Sequence, residues 1–214
     1  KFGVGFKAVF QYTDTPEIYD DSFKFKIEDL IVPTLIEYDY PERQPGETLF
    51  VLPFRNPQKS FAEIKSRLET LKNPILFLRH LKKIIWRIDT ANQNNTTTEY
   101  SKTLLERHTY NDVKLEKYRL KNANHDDFMF LFSRDITITL ADGNKTILPI
   151  YIGFYYDEQN KSLITKHTQN IYCFFPTKET FKTCFISHAP FLLTENRQNI
   201  KRDENLNKDL LRCL

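Results

Sequence analysis

From Glu99 to Tyr156 the chain alternates apolar and polar residues almost without a break. Period two is the pattern of strands, whose successive side chains point to opposite faces. EYSKTLLERHTY and VKLEKYRLKN alternate first, FMFLFSR follows, and DITITLADGNKTILPIYIGFYY closes the run. Within the last stretch Asp142-Gly143 predicts a hairpin turn, because it tolerates positive φ. NIYCFFPT and FKTCFISHAPFLLT predict further strand, the latter ending near Asn196-Arg197. ENLNKDLLRCL then predicts an amphipathic terminal helix with Leu206, Leu210 and Leu211 inward.

The earlier residues mix the two periods. Residues 3–12 predict a helix, with Val4, Ala8, Val9 and Tyr12 at helical spacing. SFKFKIE (22–28) alternates as a half-buried strand, LIVPTLIEY continues apolar across Pro33, and YPERQPGE (40–47) is a turn-rich loop. TLFVLPFR (48–55) reads as a strand that Pro53 ends or places on an edge. Ser60, with Glu63 three residues on, predicts a capping box for a helix carrying Phe61, Ile64, Leu68 and Leu71 on one face. Pro74 opens a second expected helical segment, PILFLRHL, and KIIWRI (83–88) a strand. DTANQNNTTTE (89–99) is polar and breaker-rich, which fits a domain boundary, an exposed hairpin or an ordinary loop. The boundary reading gives domains 1–88 and 89–214. The expected fold class is α+β.

With 18 Phe, 11 Tyr and 28% charged residues, the expectation is a folded, soluble protein. The net charge of +3 is small and the signs are interspersed, so the sequence carries no nucleic-acid signal. Cys173, Cys184 and Cys213 lie far apart without a C-x-x-C pair, which reads as reduced thiols in a cytoplasmic protein. The five histidines are scattered singly, so no metal site is expected, and no run of about 18 apolar residues predicts a membrane span.

The opening stretch, KFGVGFKAVF, carries the chemistry. Gly3 and Gly5 let the backbone approach a ligand closely, and free N–H groups at a helix start favour an anion. The spacing is neither the Walker pattern nor the dinucleotide fingerprint. A tight turn before a core helix remains the plainer alternative. No initiator methionine precedes the stretch, so the site is expected to continue into upstream residues, which could also carry a targeting segment.

KFGVGFKAVF resembles the second glycine motif of the GHKL ATPases, the group of gyrase, histidine kinases and the ninety-kilodalton heat-shock chaperone. It is most similar to the chaperone's lid motif. TLFVLPFR after Gly46 resembles the strand carrying the threonine of the late GHKL motif, although Glu47 separates Gly46 from Thr48. LKNPILFLRHLKKIIW resembles a helix-then-strand segment of sacsin-like bacterial proteins. FISHAPFLLTENRQNI resembles the segment ending that ATPase module, and the chaperone's middle-domain turn where an arginine reaches the γ-phosphate. These resemblances imply the C-terminal remainder of a GHKL α/β sandwich, followed by a β-rich α+β segment with a terminal helix.

By that resemblance the parent protein binds ATP with Mg and hydrolyses it as a conformational machine. Backbone N–H groups of Val4, Gly5 and Phe6 would face the β- and γ-phosphates beside Gly3. Lys7 would add positive charge there, or remain a solvated helix lysine. Thr48 would hydrogen-bond near the adenine, or be a β-branched strand residue. Arg197 would act as an arginine finger, or pair on the surface with Glu195 or Asp203. The acidic general base and the asparagine that holds Mg belong to an upstream helix, and Asp-x-Gly-x-Gly follows it in the family. Neither motif is in this sequence, and Asp14, Glu17 and Asp20 lack their context. The fragment is therefore expected to be inactive alone, with no cofactor bound, and its partners to be other domains of a longer chain or a protein client. The alternative is a non-catalytic interaction module on a degenerate scaffold. His188, flanked by Ser187, reads as a core or edge histidine rather than a catalytic one, and Cys173 and Cys184 as buried small apolar groups.

Overall fold

The computed structural model describes residues 4–71, 73–90, 93–123, 125–140, 142–165 and 168–214. Contacts divide the chain into two compact units, one up to Thr70 and one from Leu71. The first combines an antiparallel sheet with helix and the second a largely antiparallel sheet with helix, an α+β organisation.

In the first unit a single helical turn, α1 (Val4–Lys7), runs into a 3₁₀ turn at Ala8–Gln11. The helix expected over 3–12 is thus one turn of each kind. Four strands follow: β1 (Glu17–Tyr19), β2 (Lys24–Glu28), β3 (Val32–Leu35) and β4 (Leu49–Val51). They form an antiparallel sheet in the order β3-β2-β1-β4. Pro33 lies on β3, an edge, where its missing N–H disturbs no neighbour on the outer side. Direct pairing lines up Leu35, Phe25, Ile18 and Phe50 across the four strands, so they share one apolar face.

Helix α2 (Pro57–Glu69) starts three residues before the expected cap. Pro57 supplies a helical φ at the first position, where its missing N–H is no loss. The Asn56 side chain then accepts the Lys59 N–H at 3.1 Å, so Asn56 and not Ser60 is the cap. Ser60 is instead buried in the first turn, and Glu63 bonds Tyr12 and Arg67.

The β2–β3 hairpin turns on Asp29 (φ 50) and Leu30 (φ 68), closed by the Ile31 N–H donating to Glu28 O at 3.1 Å. A non-glycine residue in the left-handed region costs about 1–2 kcal/mol, and asparagine tolerates that region best. Leu30 is also 63% exposed, so its side chain gains little from the fold. Leu30→Asn should therefore stabilise the protein by about 1 kcal/mol, measured by urea unfolding. A loss of stability would contradict this account of the turn.

The second unit opens with residues 73–79, which form turns rather than the helix expected from Pro74. Asn73 takes φ 44, and the backbone bonds are i to i+3, from Leu76 to Asn73 and from Leu78 to Ile75. Lys102 donates its ammonium to the carbonyls of Leu76 (2.8 Å) and Leu78 (3.3 Å), which a helix would have used internally. Ile75, Leu76 and Phe77 are consecutive and all buried, a demand no one-sided helix meets.

Five strands then form a meander: β5 (Lys83–Thr90), β6 (Gln93–Tyr110), β7 (Val113–Asn122), β8 (His125–Thr139) and β9 (Lys145–Asp157). The described residues of the polar stretch 89–99 thus belong to the paired strands β5 and β6, and the unit division falls at Thr70/Leu71 rather than after Ile88. The short β10 (Ser162–Leu163) pairs with β9. Next come β11 (Gln169–Cys173), β12 (Phe175–Phe181) and β13 (Ile186–His188). β13 joins β9 antiparallel and β11 parallel, giving the order β12-β11-β13-β9-β8-β7-β6-β5.

Two cores result. Leu76 and Phe77 pack on Leu120, Met129, Leu131, Tyr172 and Ile186. Helix α3 (Asn205–Cys213) packs Leu210 against Ile138, Ile150, Ile171 and Phe191, with Leu206 and Leu211 partly buried beside it. This is the inward face expected for α3.

Candidate functional site

Gly3 lies outside the described residues, and Val4 and Gly5 are described in backbone only, as the first residues of α1. Their N–H groups have no partner earlier in the helix. Phe6 lies 6.4 Å from Phe50, centroid to centroid, and 6.3 Å edge-on from Phe10. That contact sets the glycine segment against β4, the strand that Thr48 precedes. Lys7 is exposed, makes no ion pair among the described residues, and lines a depression of about 400 Å³ with Phe10, Gln11, Leu30 and Ile31.

Thr48 donates its hydroxyl to Asp20 at 2.7 Å, which holds the Asp20 carboxyl below the usual carboxylate range. Its oxygen keeps acceptor capacity. The other nearby carboxylates are also engaged, Asp14 with Arg55 and Glu17 with the Tyr19 hydroxyl. Arg43, its side chain only 6% exposed, braces the loop that leads to β4. It donates to Asp39 at 2.8 and 2.7 Å, to Asp21 at 2.7 Å and to the carbonyl of Glu47 at 2.9 Å. Those donors hold Asp39 far below its ordinary pKa. Sequence reading passed over Arg43 because its partners come from separate stretches of chain.

Arg197 belongs to the second unit and sits exposed at φ 56, its N–H donating to Thr194 O at 2.8 Å. Among the described residues it pairs with neither Glu195 nor Asp203, and its guanidinium has no partner. The loop around it is fixed from behind by the fully buried Asn207 of α3. That side chain accepts the Leu192 N–H at 2.8 Å and donates to the carbonyls of Leu192 (2.8 Å) and Lys201 (2.7 Å). Glu179 adds a second anchor by accepting the Ile200 N–H at 2.8 Å.

His188 is 1% exposed and stacks on Phe77 at 4.4 Å, with Tyr151 and Phe174 presenting edges at 5.3 and 5.2 Å. Neither ring nitrogen has a hydrogen-bond partner among the described residues, and burial pushes its pKa down to about 4, so the ring is neutral at pH 7. It is a core histidine whose nitrogens are left unbonded. Cys173 donates to Phe191 O at 3.3 Å, and burial pushes its thiol pKa up. All three cysteines are free and half-buried.

Among the described residues no three His, Cys, Asp or Glu side chains are grouped to hold a metal ion. No described helix is long and apolar enough to cross a membrane. No family model, curated protein or solved structure matches the chain.

Proposed function

We propose that the first unit is the C-terminal part of a GHKL-type nucleotide site, in a protein that binds and hydrolyses ATP. The supporting observation is the Phe6–Phe50 contact, which sets the glycine-led turn beside the strand headed by Thr48. In this reading the N–H groups of Val4, Gly5 and Phe6 receive phosphate oxygens, with Gly3 permitting close approach. Lys7, without an ion pair among the described residues, adds charge to the same oxygens. Thr48, its proton given to Asp20, accepts a hydrogen bond on the adenine side. Arg197 would act as the arginine finger of the parent protein; its guanidinium makes no ion pair or hydrogen bond among the described residues, and Asn207 and Glu179 anchor the loop that carries it. Bound Mg would neutralise phosphate charge, held by residues of the intact protein outside this sequence.

An arginine finger acts on charge that develops in the transition state. In the natural full-length protein, Arg197→Ala should lower kcat for ATP by a larger factor than it raises the ATP dissociation constant. Equal losses would mean that Arg197 serves ground-state binding only. Any thermal shift of this chain alone with ATP should be insensitive to Lys7→Ala, since the motifs for the general base and Mg are not in it.

A second reading, an interaction module, is favoured by one face of the second unit's sheet. Phe130 and Tyr156 meet at 5.0 Å, Phe132 and Phe154 at 6.0 Å, and Phe154 and Phe185 at 5.8 Å. Lys117 lies over the rings of Phe130 and Tyr156. These rings are only part-buried, and such aromatic surface is characteristic of protein contacts. In this reading the sheet docks a protein client. The two readings are compatible, since a nucleotide engine needs a surface through which to act.

A further inference from the structure

The strand register of the second unit builds a polar row that the nucleotide reading leaves unused. Lys114 pairs directly with Ser133, Ser133 with Tyr151, and Tyr151 with His188. Directly paired residues share a face, so an ammonium, a hydroxyl, a phenol and an imidazole stand side by side across four strands. A cavity of about 420 Å³ opens at the Lys114 end, and Arg79 and Arg134 join Lys114, Ser133 and Tyr151 in lining it.

The partners of these groups are what single the cavity out. Ion pairs are common elsewhere on this protein, yet Arg79, Lys114 and Arg134 form none among the described residues. The Ser133 and Tyr151 hydroxyls likewise make no hydrogen bond there. Asp112 and Asp135 also line the cavity, so three cations face two carboxylates and the balance is positive. One strand further along the row, both nitrogens of the buried His188 are unpartnered. The cavity thus offers two guanidinium forks, an ammonium and two hydroxyls that form no ion pair or hydrogen bond among the described residues.

We propose that this cavity binds a phosphate-type oxyanion. Guanidinium groups supply planar pairs of donors matched to phosphoryl oxygens, an ammonium supplies a point charge, and the hydroxyls complete the shell. Two carboxylates beside three cations restrict the site to a ligand that uses the donors directionally, and a diffuse polyanion gains little. The inference does not rest on the nucleotide reading, because none of its residues belongs to the glycine segment, Thr48 or Arg197.

The test is thermal unfolding of this chain titrated with inorganic phosphate at constant ionic strength, with sodium chloride as the reference. A saturable rise in Tm is expected. Arg79→Ala and Lys114→Ala, both exposed positions, should leave the phosphate-free Tm unchanged and each raise the half-saturating concentration about tenfold. That factor corresponds to the loss of one charge-assisted hydrogen bond. Lys178→Ala, an exposed position on β12, should leave the response intact. A second titration with ATP separates the sources of the phosphoryl group. Protection by ATP that both variants weaken assigns the terminal phosphate of a nucleotide, and protection by phosphate alone assigns the free ion. No rise beyond chloride with either ligand would overturn the proposal. A rise that both variants leave unchanged, or that Lys178→Ala weakens as much, would overturn it too.

Discussion

Acidification from pH 7 to pH 4 should remove about 3 kcal/mol of stability through His188 alone. In the unfolded chain its imidazole takes a proton near 6.5, whereas in the fold burial delays that step to about 4. Between those values the unfolded state binds more protons, so the contribution is complete above pH 6.5. It diminishes as pH falls through the window and is gone below about 4. Burial disfavours a charged ring where it lies: Phe77, Tyr151 and Phe174 surround it, and the positive charge of Arg79 opposes protonation further. Urea unfolding of the natural chain and of His188→Phe between pH 4 and 7.5 isolates the effect, since all other titrations cancel in the difference. That difference should shift by about 3 kcal/mol in favour of the variant as pH falls. A difference that does not vary with pH would mean that the imidazole titrates normally in the fold.

Asn207→Ala should destabilise the protein by about 3 kcal/mol, from three lost hydrogen bonds and a cavity in the second core. Asn207 is 0% exposed and ties α3 to both ends of the loop carrying Arg197. Amide exchange across residues 192–201 should accelerate in the variant, because the loop loses its brace. Asn207→Asp discriminates further. Its carboxylate can still accept the Leu192 N–H but must face the carbonyls of Leu192 and Lys201 without a proton to offer. It should therefore be as damaging as alanine at neutral pH and partly recover once protonated. A loss below about 1 kcal/mol in both variants, with unchanged exchange, would show that other contacts hold the loop.

Strand and helix periods made much of the second unit legible in the sequence. The alternation after Glu99 became β6 through β9, Asp142-Gly143 fell between β8 and β9, and Leu206, Leu210 and Leu211 gave the inward face of α3. Where one residue decided a boundary, local pattern was weaker. Pro57 moved the start of α2 ahead of Ser60, and β1 is three residues long, too short to show a period. The segment after Pro74 looked helical because a short apolar run fits either period, and what unwinds it is Lys102, distant in sequence. The candidate sites divide the same way. The glycine segment, Thr48 and Arg197 stand out as local motifs. The Arg43 brace and the row from Lys114 to His188 exist only through strand register, which no local pattern reveals.

The nucleotide reading is tested most directly by mapping where the γ-phosphate of ATP rests on the natural full-length protein. A photoreactive ATP analogue carrying its crosslinking group on the γ-phosphate, followed by peptide mapping, reports this position. The account predicts label on the peptide that contains Gly3 to Lys7, suppressed by excess ATP. Label confined to other peptides, or undiminished by ATP, would contradict it.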